Sequence, residues 1–116
     1  MGDRKDSIRR YLAVWSGDAA VTELDTLMTP NYAGHLGSRD RNLAGLKRDI
    51  ADYRRTAPNV RFAVEHQFGD GDHVAARVTA VGTDDSGRPI SARGLNISRW
   101  EGDRLAEEWA VWEPLH

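Results

Sequence analysis

The hydrophobic pattern changes period at Pro58, and this switch restricts the possible folds more than any other feature of the chain. Before it the apolar residues follow helical spacing. Ile8, Tyr11, Leu12 and Trp15 fall at i, i+3, i+4 and i+7 of one helix face, with Asp3 or Asp6 placed to cap the start and Gly17 to stop it. Asp18 reads as the N-cap of a second short helix that buries Val21, Leu24, Leu27 and Met28. Pro30 ends that helix, because the residue before a proline is pushed out of the helical region. Residues 31–36 read as a short strand and 37–41 as a polar loop. Asn42 is placed to cap a third helix, with Leu43, Leu46, Ile50 and Tyr53 on one stripe.

After Pro58 the pattern alternates. Strands are expected over residues 60–68, 73–83, 89–100 and 105–113, with Val60, Phe62, Val64, His66 and Phe68 on one side of the first. Asp70-Gly71-Asp72, Asp84-Asp85-Ser86-Gly87 and Glu101-Gly102-Asp103-Arg104 supply the turns between them. Helices followed by a strand meander indicate an α+β protein. A curved antiparallel sheet wrapped on helices buries one face and leaves a cavity at its open end.

The length of 116 residues predicts a single domain over residues 1–116. With 16 basic and 18 acidic residues the formal charge is −2, too balanced for a nucleic-acid partner. No cysteine is present, so disulfides, thiolate metal sites and thiol nucleophiles are excluded. His35, His66, His73 and His116 are scattered without HExxH spacing, so no metal site is expected. Nucleotide-loop and nucleophile-elbow motifs are missing, and no cofactor is expected. Residues 1–10 are charged rather than apolar, and no segment has the length of a membrane span, so the expected location is the cytoplasm.

The last hairpin assigns faces. If Gly102-Asp103 form a two-residue loop, Glu101 opposes Arg104 and Asn96 opposes Trp109. Ala92, Gly94, Asn96 and Ser98 then share a face with Glu107, Trp109, Val111 and Glu113. Leu95, Ile97, Ala106, Ala110 and Trp112 take the other. A three-residue turn would move Asn96 to the opposite face.

Several segments together resemble one family. They are Gly17-Asp18, Tyr32 to His35 followed by Gly37, Asp70-Gly71-Asp72-His73-Val74-Ala75-Ala76-Arg77, Gly82-Thr83, and the ending Leu105, Glu107, Trp109 with an acid at 113. In order and spacing they resemble the SnoaL-like polyketide cyclases of the NTF2-like superfamily, over nearly the whole chain. The resemblance implies a cone of three N-terminal helices against a strongly curved, mostly antiparallel sheet, with an apolar pocket inside. It also implies an acid/base carboxylate on the last strand, four residues after the Trp, which here is Glu113. His35 matches the family's pocket histidine. The family's cyclases often carry further polar pocket groups on the strand before the acid; Asn96 and Ser98 are the candidates here, and no histidine lies on that strand. The family usually continues past the acid into an apolar tail. This chain stops at His116, which leaves the pocket more open or a partner subunit to close it.

The expected function is a cofactor-free enzyme acting on an apolar carbonyl compound by aldol-type cyclisation or isomerisation. Glu113 would move a proton at carbon, and His35, Asn96 or a tyrosine hydroxyl would steady the enolate oxygen. Trp15, Tyr32, Tyr53, Phe62 and Trp109 are the expected pocket walls. A non-catalytic small-molecule carrier or dimeric interaction module is the alternative. The apolar row on the outer face, with Ile97 and Trp112 as anchors, predicts a homodimer.

Overall fold

The computed structural model describes residues 4–114, so the expected cap Asp3 and the histidine His116 lie outside the described residues. Helix α1 spans Arg4–Trp15, a 3-10 turn spans Val21–Glu23, α2 is the single turn Leu24–Leu27, and α3 spans Leu43–Thr56. The strands are β1 (Met28–Leu36), β2 (Arg39–Asn42), β3 (Arg61–Asp70), β4 (His73–Thr83), β5 (Pro89–Glu101) and β6 (Arg104–Pro114). They form one curved sheet in the order β2-β1-β6-β5-β4-β3, antiparallel except for the β1–β6 pair.

The helix ends follow local chemistry. Gly17 adopts φ +83° just past α1, a conformation that suits glycine, while the Asp18 amide donates back to the Ala13 carbonyl. The Asn42 side chain accepts from the Gly45 amide at 2.9 Å and starts α3 as expected. Leu46 and Ile50 of α3, Val14 of α1 and Leu24 of α2 are wholly buried against the sheet. Among the described residues no helix is long and apolar enough to cross a membrane.

Three details depart from the sequence reading. The second helix is only one turn of α after a 3-10 turn, and Asp18 does not cap it; its carboxylate pairs with Arg61 at 2.7 Å. Met28 already begins β1. Pro30 sits where the β1–β6 ladder is interrupted, so its missing N–H deprives no partner. The expected loop at residues 37–41 is instead a tight Gly37-Ser38 turn leading into the edge strand β2. Its residues, Arg-Asp-Arg-Asn, are polar and carry no alternation to mark them.

Bulges account for the third departure. In β3 the register slips between Val64 and His66, so the expected one-sided row breaks: Phe62 and Val64 pack on the core and Phe68 is 69% exposed. In β6 the hairpin begins as expected, with Glu101 opposite Arg104 and Trp100 opposite Leu105. Arg99 then pairs with Glu107, leaving Ala106 as one extra, buried residue. Beyond that bulge every β6 side chain lies on the face opposite to the one expected.

Removing the α3 cap isolates one of these local terms. Asn42→Ala is expected to lower stability by about 1 kcal/mol, seen as a lower urea midpoint with an unchanged slope.

Candidate active site

Between α1, α3 and the concave face of the sheet lies a cavity of about 520 Å³. Its two ends differ in chemistry. At one end Trp15, Tyr53, Phe62 and Trp112 form a chain of edge and tilted ring contacts with centroids 5.6–5.8 Å apart. Trp112 reaches that wall by lying across Gly94, its cross-strand partner. A Cβ at Gly94 would come within 2.6 Å of the indole Cδ2.

At the other end Glu108 is 2% exposed. The Tyr11 hydroxyl donates to its Oε2 at 2.7 Å, and the Tyr32 hydroxyl donates to the same oxygen. The Asn96 amide donates to Oε1 at 2.7 Å. Donors thus arrive from α1, β1 and β5. Burial first, and Glu108 second, raise the pKa of both phenols, which keeps them protonated and donating. Three donors occupy three of the roughly four lone-pair sites of a carboxylate, which leaves Oε1 room for one more hydrogen. Arg41 also lines this end.

The expected site residues divide between the two faces. Trp15, Tyr53, Phe62 and Asn96 line the cavity. Tyr32 does not line it; its ring is buried and its hydroxyl supports Glu108. The Ala106 bulge puts Trp109 and Glu113 on the convex face, so Asn96 and Trp109 do not share a face. Asn96 instead opposes Ala110, and Glu113 is an exposed residue opposite Arg93. Glu108, not Glu113, is therefore the carboxylate of the cavity. Trp112 turns inward and cannot anchor an outer-face interface. Glu108, Tyr11, Arg41 and Trp112 were not singled out for the site. The consecutive apolar pair Leu105-Ala106, both buried, is the one trace of the bulge in the sequence.

His35 is also on the convex face, stacked on Trp109 with centroids 5.6 Å apart. Its Nδ1 lies 2.8 Å from Asp40 and its Nε2 2.7 Å from Glu107, so the ring, when protonated, donates to a carboxylate at each nitrogen. These hydrogen bonds, Asp40's first, raise the His35 pKa; that of Glu107 is lowered by His35 above all, with burial opposing and Arg99 adding to the lowering. The histidine ties β2 to β1 and β6 rather than facing a ligand in the cavity. Among the described residues no cluster of histidine and acid side chains could hold a metal ion.

A helix-backed cone of curved, mixed sheet is the architecture of NTF2-like proteins. Within that class the chain belongs to the SnoaL-like polyketide cyclase family, matched over residues 5–116. It is similar to wild-type IdmH from Streptomyces antibioticus, a candidate polyketide cyclase, with 26% identity, TM-score 0.83 and coverage of 97% of this chain and 93% of that one. A candidate polyketide cyclase from Acidithiobacillus ferrooxidans shares the fold at 23% identity and TM-score 0.81, covering 95% and 87% of the two chains. AclR from Streptomyces galilaeus, a candidate hydroxylase, shares it at 17% identity and TM-score 0.83, covering 95% and 74%. No curated protein matches the sequence.

The His35 bridge has a pH signature. The raised His35 pKa contributes stability that is complete below its ordinary value of 6.5 and is lost as pH rises through the raised value. The lowered Glu107 pKa contributes stability that is complete above its ordinary 4.5 and is lost as pH falls through the lowered value. The melting-temperature gap between wild type and His35→Gln is expected to be widest between those two ordinary values and to narrow on either side.

Proposed function

We propose that this protein is a cofactor-free enzyme that moves a proton at carbon in an apolar carbonyl compound, with Glu108 as the base. One observation carries the reading: a wholly buried carboxylate faces a ligand-sized apolar cavity and keeps a lone pair of Oε1 uncommitted. Burying a charge is costly unless it is hydrogen-bonded, and a core that needed only packing would place an apolar residue there. The cavity volume falls within the usual range for small-molecule sites. The aromatic end takes the apolar body of the substrate, and the polar end takes its carbonyl. Aldol-type cyclisation and isomerisation both begin with this proton removal.

Exchange of the α-hydrogens of 2-tetralone for solvent deuterium, followed by proton NMR, tests the base. Wild type is expected to accelerate exchange, and Glu108→Gln, which keeps shape and packing, to lose about 100-fold or more of that acceleration. Ligand binding with equal exchange in both proteins would instead favour a non-catalytic carrier.

We also propose that the convex face pairs with a second copy of the chain. Leu95, Ile97, Trp109 and Val111 form an apolar stripe there, each 38–58% exposed. It is bordered by the paired charges Arg99–Glu107 and Arg93–Glu65. A two-fold axis would set this stripe against itself, with Trp109 near the centre. In sedimentation equilibrium the wild type is expected to weigh two chains and Trp109→Lys one, while Trp112→Ala stays dimeric.

A further inference from the structure

Arg41 is a second charged group at the polar end of the cavity, and its placement is built with care. It sits on β2 beside the Asn42 cap, with its side chain only 10% exposed. Two glycines open the channel for its stem: a Cβ at Gly34 would lie 3.3 Å from the Arg41 Cγ, and one at Gly45 3.2 Å from its Cβ. The guanidinium lies over the Trp15 ring, 5.6 Å from the centroid. Its Nη1 meets Asp49 at 3.0 Å, and Asp49 also meets Arg39 at 3.1 Å. The Arg41 Nε is buried without a hydrogen-bond partner.

Charge accounting follows from these contacts. Two arginines share Asp49, which leaves one positive charge over. Glu108 is the one buried carboxylate of the described residues, and it balances that charge across the cavity end. The two form no direct ion pair among the described residues. The Tyr32 hydroxyl stands between them, donating to Glu108 and within hydrogen-bonding reach of Arg41. Tyr32 bridges the cation and the carboxylate within the wall, and both charged groups border the cavity, where a polar atom of the ligand can approach them. When Glu108 takes up a proton its charge vanishes, and the Arg39–Arg41–Asp49 group is left with one positive charge unbalanced. The group that restores balance has to be a newly negative atom of the ligand.

We propose that Arg41 is the anion-stabilising pole of the site: it faces the carbonyl oxygen of the substrate and balances the negative charge that forms there. The step conserves atoms and charge. The C–H bond next to the carbonyl breaks and its proton goes to Glu108 Oε1. The C–H electron pair becomes the new C=C bond, and the carbonyl π pair moves onto oxygen beside the guanidinium. The charge lost by the carboxylate reappears on the enolate oxygen. Charge-assisted contacts are among the strongest available to a protein. The substrate class is thereby narrowed to apolar compounds whose enolisable carbonyl enters first, towards Arg41, with the ring system left against the aromatic wall.

This inference rests on the cavity being the reaction chamber, and its test reads ligand ionisation instead of turnover. The probe is 2-naphthol, whose ionised form mimics an enolate and is followed by absorbance beyond the protein's own bands. It is measured on Glu108→Gln, where the amide stands for the protonated base. The expected result is that this variant binds naphtholate at least about tenfold more tightly than naphthol, and that adding Arg41→Met abolishes the preference. Adding Arg39→Met, on the exposed side of Asp49, should leave it intact. If Arg41→Met prevents folding, Asp49→Asn is added so that the charge Arg41 met is removed with it, and the comparison is made in that background. Equal binding of the two forms by Glu108→Gln, a preference that survives loss of Arg41, or no binding of 2-naphthol would overturn the proposal. A retained preference beside a failed deuterium exchange would remove Glu108 as base while leaving Arg41 as the anion pole.

Discussion

Glu108 of β6 joins α1, β1 and β5 at one buried point. Its carboxylate is buried, and a buried charge is tolerable only while hydrogen-bond donors surround it. Tyr11 of α1, Tyr32 of β1 and Asn96 of β5 provide them. Each donor constrains the element that carries it. Helix α1 has to lie across the sheet with the Tyr11 face down, β1 has to run beside β6, and β5 has to present Asn96 inward. The core packing and the polar network therefore demand the same arrangement.

The Ala106 bulge makes that junction possible. Strand side chains alternate, so one extra residue exchanges the faces of all that follow. With the bulge, Glu108, Ala110 and Trp112 turn into the cone while Glu107, Trp109 and Val111 turn out. Two neighbouring glutamates thereby receive opposite surroundings. Glu107 pairs with His35 and Arg99 near the surface, and Glu108 faces the cavity behind neutral donors. Trp112 completes the aromatic wall because Gly94 leaves it room. Without the slip the cavity face would carry Glu107, Trp109 and Val111 in place of Glu108, Ala110 and Trp112.

The polar and aromatic ends divide the work of recognition. Rings at 5.6–5.8 Å centroid spacing offer a large, rigid apolar surface, and such surface fixes where a ring system lies more than which one it is. Glu108, Asn96 and Arg41 supply the directional contacts. Different members of a family can thus keep the cone and exchange a few polar residues, which is how one fold hosts many reactions.

What the chain declares by itself is its local chemistry. Helical spacing before Pro58, alternation after it, Asn42 as a cap, Gly17 as a stop and Asp-Gly turns all act within a few residues, so α+β order and the helix and meander positions were legible. So were Trp15, Tyr53, Phe62 and Asn96 as cavity residues, because their parity precedes or escapes the β6 bulge. The positions of Glu108, Arg41 and Trp112 were not legible. A bulge has no composition of its own, and Arg39 to Asn42 carries no alternation to announce a strand. Tertiary structure alone decided them: Ala106 is buried as an extra residue because the sheet must bend there, and Arg41 points inward because Gly34 and Gly45, one on a neighbouring strand and one on a helix, leave it the space.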